Sequence, residues 1–366
     1  MREFFKKFRL LDIPLVVAML LLQALGLTVL YSTSLSNSSM SIFWRQLLFA
    51  GVGLGLFFVF AFYNYHNLSK ANRIVYPLIL LLLFYVLFFA RDIRGSSRWI
   101  DFGFFQLQPA EFAKVALVIV LARWFGLKQA LVNSWSHIGV TLVLAAVPFV
   151  LVLLEPDLGS SLVIASIWGG MILISPISKR LLLGLFVAFL VVAGLSWQFL
   201  LHDYQKNRVE VFLDPNLDPK GKGYNVRQAT IAVGSGRLFG RGLGKGLQSQ
   251  LKFLPERQTD FVFAAAAEEI GFIGSSVLLG LYGFLLYRIT LIIRNSKDYL
   301  GRFLAMGVFC IFFVQVLINI GMNMGVMPVT GIPLPFMSYG GSALFVVYIA
   351  LGMIQNVTIQ SKALRS

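Results

Sequence analysis

Histidine and cysteine are nearly absent from this chain: His66, His137 and His202 are the three histidines and Cys310 is the one cysteine. Cys310 lies inside an apolar run, so neither an internal disulfide nor a thiolate metal site can be assembled. The histidines are far apart and, on the topology read below, fall on opposite sides of a membrane, which excludes a three-histidine site. Charge is scarce too. Charged residues make up 13% of the chain, about half the share of an ordinary soluble domain. Acidic residues are the scarcer kind, 16 against 31 Lys and Arg, which gives a net charge of +15. A phosphate-binding loop is also missing. The glycines at 234, 236, 240, 242, 244 and 246 suggest one, but Gly244-Lys245 lacks the glycine five residues earlier and the Ser or Thr that should follow, and no strand precedes it. No nucleotide cofactor is expected, and no nucleic-acid partner.

What is present is hydrophobic sequence, 58% of the residues, with a mean hydropathy of +0.79. A helical crossing of a bilayer needs about 20 apolar residues, and such runs recur at 12–32, 43–62, 73–90, 109–124, 137–153, 159–174, 181–200, 263–287, 303–326 and 341–359. The reading is an all-α polytopic membrane protein, one transmembrane domain over 1–366 with about ten spans. Arg2, Lys6, Lys7 and Arg9 before the first run resemble the n-region of a signal peptide, but the run is too long and has no small-x-small cleavage site, so it reads as a retained helix. An even number of spans puts both termini on one side. Lys and Arg crowd the short loops of that side, while those of the other hold only Arg45, Arg91, Arg94 and Arg98, so the termini are cytoplasmic.

Residues 201–262 form one large outer loop that is itself basic, from Lys206 and Arg208 through Lys220 to Lys252 and Arg257. Long loops cross regardless of charge. Two readings stand: a solvated loop against lipid headgroups, or a surface that handles an anionic substrate such as a diphosphate.

Polar residues inside apolar spans cost roughly 2.5 to 3.5 kcal/mol each when charged, so their placement is informative. Glu111 and Lys114 share one helix face at i and i+3; they form either an ion pair that locks helices or part of a water-filled cavity. Gln315, Asn319 and Asn323 make a stripe along one face, best explained by hydrogen bonds between helices. Two outer turns, Glu155-Pro156-Asp157-Leu158-Gly159 and the Pro- and Gly-rich stretch from Met327 to Ser342, cannot be regular helix. Irregular backbone at membrane depth survives only where protein or a water-filled cavity satisfies it, so a fixed re-entrant loop beside a cavity is expected.

Several stretches carry a resemblance. Asn319 through Gly325, Pro328, Gly331 and Ser338-Tyr339-Gly340-Gly341-Ser342-Ala343 look like the signature of the SEDS family, the shape, elongation, division and sporulation proteins. Arg98-Trp99-Ile100-Asp101, Gln108-Pro109-Ala110-Glu111 with Lys114, Glu155-Pro156-Asp157-Leu158-Gly159 and Leu254-Pro255-Glu256-Arg257-Gln258-Thr259-Asp260-Phe261 agree in the same order, over nearly the whole chain. Gln248-Ser249-Gln250-Leu251 leading to Pro255-Glu256-Arg257 is more similar to the elongation branch than to the division branch.

The resemblance implies a peptidoglycan glycosyltransferase that polymerises lipid II on the outer face of the cytoplasmic (inner) membrane during elongation. The donor would be a glycan strand on undecaprenyl diphosphate, and the anomeric carbon would be inverted. The acceptor hydroxyl must lose a proton as it attacks, so a carboxylate base is needed, and the diphosphate needs cations rather than an acid. Asp260 matches the family's essential aspartate and is the expected base; by local sequence alone, an Asp before a helix reads as an N-cap. Glu111, Lys114 and Asp157 are expected substrate contacts, and Arg45, Arg98, Arg208 and Arg257 are expected near the diphosphate. Asp157, Glu256, Glu268 and Glu269 are either acceptor contacts or structural groups. Hard oxygens leave room for a divalent cation on the diphosphate, with no protein metal ligand assigned. A class B penicillin-binding protein is the implied transpeptidase partner. Two other roles stay open, a lipid II flippase and a scaffold that activates that partner.

Overall fold

The computed structural model describes residues 7–35, 40–90, 98–127, 134–195, 198–199, 203–219 and 221–364. Arg2, Lys6, Arg91, Arg94, His202 and Lys220, all used above, lie outside the described residues. In chain order the first helices are α1 (Ile13–Leu35), α2 (Ser41–Phe62), α3 (Tyr65–Lys70) and α4 (Asn72–Phe89). A hairpin of β1 (Ile100–Asp101) and β2 (Gln106–Leu107) pairs Ile100 with Leu107. Next come α5 (Pro109–Leu127), α6 (Trp135–Leu154), α7 (Leu158–Ile174) and α8 (Lys179–Leu195), then α9 (Asp203–Leu213), α10 (Lys222–Ser235) and α11 (Leu247–Gln250). The chain closes with α12 (Val262–Asn295), α13 (Tyr299–Asn323) and α14 (Gly341–Ala363).

Ten of these helices fall on the ten expected spans. Among the described residues, seven are long and apolar enough to cross a membrane by length and composition alone. The other three have visible reasons: α5 carries Glu111, Lys114 and Arg123 within 19 residues, and α7 and α8 have 17 residues each. The core runs along α13 and α14, the most buried of the seven. Close approach there needs small residues, since a side chain at Gly170 would strike Cys310 and one at Gly352 would strike Phe57.

Contacts at the two ends follow the alternation that ten crossings require. At the end rich in Lys and Arg, Arg288 holds Asp12, Lys362 donates to the Leu11 carbonyl, and the Tyr65 hydroxyl donates to Asp298. At the other end, Arg98 reaches the 155–156 turn and Gln46 holds Ser338 and Gly340.

The described residues 203–219 and 221–262 differ from the expected loop: they form a helical cap. Ala229 and Ala232 of α10 pack with Leu254, Phe261, Ala264 and Ala265 in a small core of its own. The glycine-rich run has a structural task there. α12 is one long helix interrupted at Gly271 (φ 69°, ψ −168°), and a break leaves backbone groups unpaired. The 237–242 segment fills the gap. Arg241 and Gly242 donate N–H groups to the Glu268 and Glu269 carbonyls, both at 3.0 Å, while Phe272 and Ile273 donate to the carbonyls of Arg237 and Leu238 at 2.8 and 3.1 Å. Backbone this close leaves no room for Cβ atoms. A side chain at Gly240 (φ 81°) would overlap the Glu269 carbonyl, so Gly240→Ala is expected to lower Tm in detergent, with a cost above the roughly 1 to 3 kcal/mol of left-handed strain alone. An unchanged Tm would show that the splice can slide.

Candidate active site

Asp260 ends the 254–260 segment just before α12. The N-cap is Phe261, and the Asp260 carboxylate makes no capping bond, which sets aside the capping role that local sequence allowed. Its position is fixed through the main chain instead. The Asp260 carbonyl accepts from Asn319 Nδ2 and Asn323 Nδ2, each at 3.0 Å. Asn323 Oδ1 accepts from Ala264 N at 3.0 Å and so satisfies an N–H of the first turn of α12. Upstream, Ser338 Oγ donates to the Thr259 carbonyl at 2.6 Å, and the Tyr339 N–H donates to the Gln258 carbonyl at 2.7 Å. Of the polar stripe read on α13, Asn323 bonds to α12 and Asn319 to the irregular loop, both hold the main chain of the candidate base, and Gln315 Oε1 is buried without a hydrogen-bond partner among the described residues.

The stretch 327–340 is the expected fixed irregular loop. Its Ile332 carbonyl accepts from Asn319 and its Pro335 carbonyl from the Tyr282 hydroxyl. The Phe336 carbonyl meets α1 at Gly26, near the middle of a 23-residue span, so the loop enters to membrane depth and is satisfied by protein.

Across from Asp260 lies the 155–160 turn. Arg98 donates Nε to the Glu155 carbonyl at 2.7 Å and Nη2 to the Pro156 carbonyl. Asp157 caps α7, with Oδ1 accepting from Ser160 N at 3.0 Å and Oδ2 from Gln108 Nε2 at 3.1 Å. Arg208 Nη1 donates to the Thr330 carbonyl at 3.3 Å, which ties α9 of the cap to the irregular loop. Burial pushes the Asp260 carboxyl up to about 6; Glu256 and Asp157 push in the same direction, and Arg208 and Arg98 oppose it. Glu155 is buried, neither of its carboxylate oxygens has a hydrogen-bond partner, and burial with Asp157 nearby lifts it to about 8 against the pull of Arg98.

The structure therefore gathers Asp260, Asp157, Arg98 and Arg208. It does not bring Arg45 in: that side chain is exposed and makes no hydrogen bond or ion pair among the described residues, while Gln46 beside it is buried and points to the site. Arg257 is turned into the protein, 7% exposed, where burial disfavours its charged form, and it is not among the charges acting on Asp260. Lys114 Nζ and Glu111 Oε1 pair at 2.5 Å with side chains 0% and 1% exposed. The pair lies within α5, with no hydrogen bond from either side chain to another helix among the described residues, and it does not reach a diphosphate in this conformation. Glu268 and Glu269 are held inside the protein: Glu268 accepts from Gln248 N and Ser249 N, and Glu269 from Ser32 Oγ and Gly244 N. Among the described residues no three His, Cys, Asp or Glu side chains gather as a metal-holding set.

Sequence reading missed Glu155, Gln46 and Gln108 as residues of this site. Glu155 and Gln108 stood inside the quoted motifs at span ends, and Gln46 had as its signal a polar side chain near the start of an apolar span.

A multi-pass helical bundle with an aspartate at one end, its main chain held by Asn319 and Asn323 and two arginines near enough to act on its carboxyl, is the build of a membrane-embedded enzyme. Residues 12–363 match the cell cycle protein family of FtsW, RodA and SpoVE, and the chain belongs to that family. It is 42% identical to the peptidoglycan glycosyltransferase MrdB of Escherichia coli (strain K12) over 293 residues, 79% of this chain and 78% of that one. It is 36% identical to stage V sporulation protein E of Bacillus subtilis (strain 168) over 363 residues, 96% and 98% of the two chains. Among solved structures, it matches a chain from work on the structural coordination of polymerization and crosslinking by a peptidoglycan synthase complex, with a TM-score of 0.81 and 32% identity over 96% of this chain and 98% of that one. The rod shape determining protein RodA of Thermus thermophilus matches with a TM-score of 0.70 and 30% identity over 95% and 96%.

Proposed function

We propose that this protein is a peptidoglycan glycosyltransferase of cell elongation that polymerises lipid II at the outer face of the cytoplasmic membrane, with Asp260 as its general base. The observation that carries the reading is Asp260, its main chain held by Asn319 and Asn323 and its carboxyl within the influence of Arg98 and Arg208, in a chain of this family. In the reaction the acceptor's 4-hydroxyl oxygen bonds to the anomeric carbon of the strand while the bond from that carbon to the undecaprenyl diphosphate breaks. The hydroxyl proton passes to Asp260, the electron pair leaves with the diphosphate, and the configuration inverts. Arg98 and Arg208 lower the cost of the diphosphate charge as it develops. The family relatives that polymerise support this reading over a flippase, as does a base held on one face only. A divalent ion would draw most of its ligands from the diphosphate, and no step here relies on one.

A class B penicillin-binding protein is the proposed partner, supported by the likeness to a chain of a synthase complex. The test is polymerisation of purified lipid II, read as a glycan ladder, with and without that partner. Ladders from the complex support the reading; none from either preparation, together with lipid II scrambling in liposomes, would replace it with the flippase.

The base must be ionised to accept a proton, and its pKa is raised to about 6. The rate is therefore expected to fall as the pH drops through 6, about tenfold between pH 7 and pH 5. A pH profile of single-turnover polymerisation checks this, and a flat profile over that range would separate Asp260 from the proton transfer.

A further inference from the structure

The end of the bundle opposite Asp260 holds a cavity of about 230 Å3 between the start of α1 and the last turns of α12 and α14. The carboxylate of Asp12 is spent on the fold: Oδ1 accepts from Leu15 N at 3.1 Å and Arg288 Nε at 3.2 Å, and Oδ2 from Arg288 Nη2 at 2.6 Å. Its main chain is locked both ways with Gln355, at 3.0 Å each. Asp12 and Arg288 cancel in charge, so Lys362 leaves the lining with one net positive charge, and Arg288 Nη1 takes no part in the pair with Asp12. Lys362 is exposed and donates to the Leu11 carbonyl at 3.2 Å. Leu291 and Ile292 supply the apolar part of the lining.

Size and depth narrow the occupant. Pockets that enclose a drug-sized ligand run to roughly 300–1,000 Å3, so this one holds a headgroup rather than a whole ligand. It lies where α12 and α14 end, at the Lys- and Arg-rich face, the level at which basic pockets between spanning helices meet the phosphates of inner-leaflet lipids. We propose that this cavity binds a phosphate anion, carried by an anionic lipid of the inner leaflet or free, with Lys362 and Arg288 as its cations and Leu291 and Ile292 against the first carbons of a lipid. An ammonium and a guanidinium on one side match the oxygens of a phosphate, and the apolar wall has a use only if the phosphate carries a chain. The proposal does not depend on the chemistry assigned to Asp260.

The full chain, purified in a zwitterionic detergent without phosphate, is titrated at constant ionic strength with dihexanoyl phosphatidylglycerol, dihexanoyl phosphatidylcholine and inorganic phosphate, reading Tm and Kd. Phosphatidylglycerol is expected to raise Tm saturably, and Lys362→Glu to weaken its binding about tenfold or more. Phosphatidylcholine, whose positive group offsets its phosphate, should bind more weakly by a similar factor. Asn295→Trp, which fills the rim and keeps both cations, should also abolish the effect, and it carries the test if Lys362→Glu fails to fold. Inorganic phosphate giving the same Lys362-dependent shift assigns the site to free phosphate. No saturable shift from any of the three, or a shift that neither variant changes, overturns the proposal.

Discussion

Asp260→Asn is expected to slow glycan polymerisation by roughly a hundredfold to ten-thousandfold, the range that a positioned general base contributes. Asparagine keeps the size and the clamped main chain, because Asn319 and Asn323 bind the carbonyl of residue 260 and not its side chain. What it loses is the capacity to take a proton. The opposite sign is expected for stability. An acid whose pKa is raised in the folded protein destabilises it where the group would otherwise be ionised, so the cost is full above about pH 6, shrinks as the pH falls, and is absent below the ordinary value of 3.8. The neutral variant should therefore have a Tm no lower than wild type at pH 7, with any gain fading from about pH 6 and gone below about pH 4. Activity lost together with stability would mean that Asp260 holds the fold; activity lost with stability kept assigns it to the chemistry. Asp260→Glu, which advances the carboxylate by one methylene, should restore part of the rate.

The residues that support Asp260 show why the site was only half legible. Apolar runs are a strong signal, so the spans could be read to within a few residues, as with 41–62 against the expected 43–62. The break in α12 left no such mark, because one glycine in an apolar run costs little in sequence terms. The cap over the site was hidden for a different reason. α10 holds few apolar residues, and the glycines after it could equally have served a phosphate or a close backbone approach; both need the same absence of Cβ atoms. Which backbone they approach, that of residues 268–273, is a fact of tertiary structure alone. Charge misled in a similar way. Arg45 was chosen for its sign, yet the turn directs Gln46 inward, and neighbouring positions on a helix do not share a face. Asn319 and Asn323 were legible as hydrogen-bonding groups, but that their partner is the carbonyl of Asp260 needed coordinates.

Glu111 and Lys114 supply the other large expected effect. Their side chains are sealed from solvent and paired at 2.5 Å, with Glu111 Oε2 left without a partner. Removing one member of a buried pair strands the other charge and typically costs 3 to 5 kcal/mol, whereas replacing both with groups of similar size is often near neutral. Lys114→Met is therefore expected to destabilise the protein by about 3 to 5 kcal/mol, read as a large drop in Tm and in the yield of folded protein. Adding Glu111→Gln should recover most of that loss. The double variant also separates the two readings that the sequence left open. If the pair only locks α5 in place, polymerisation returns with stability, which the sealed geometry favours. If stability returns and polymerisation does not, the bundle must open far enough for Lys114 to meet the diphosphate, in a conformation that the present packing of α5 against α13 and α7 would have to release.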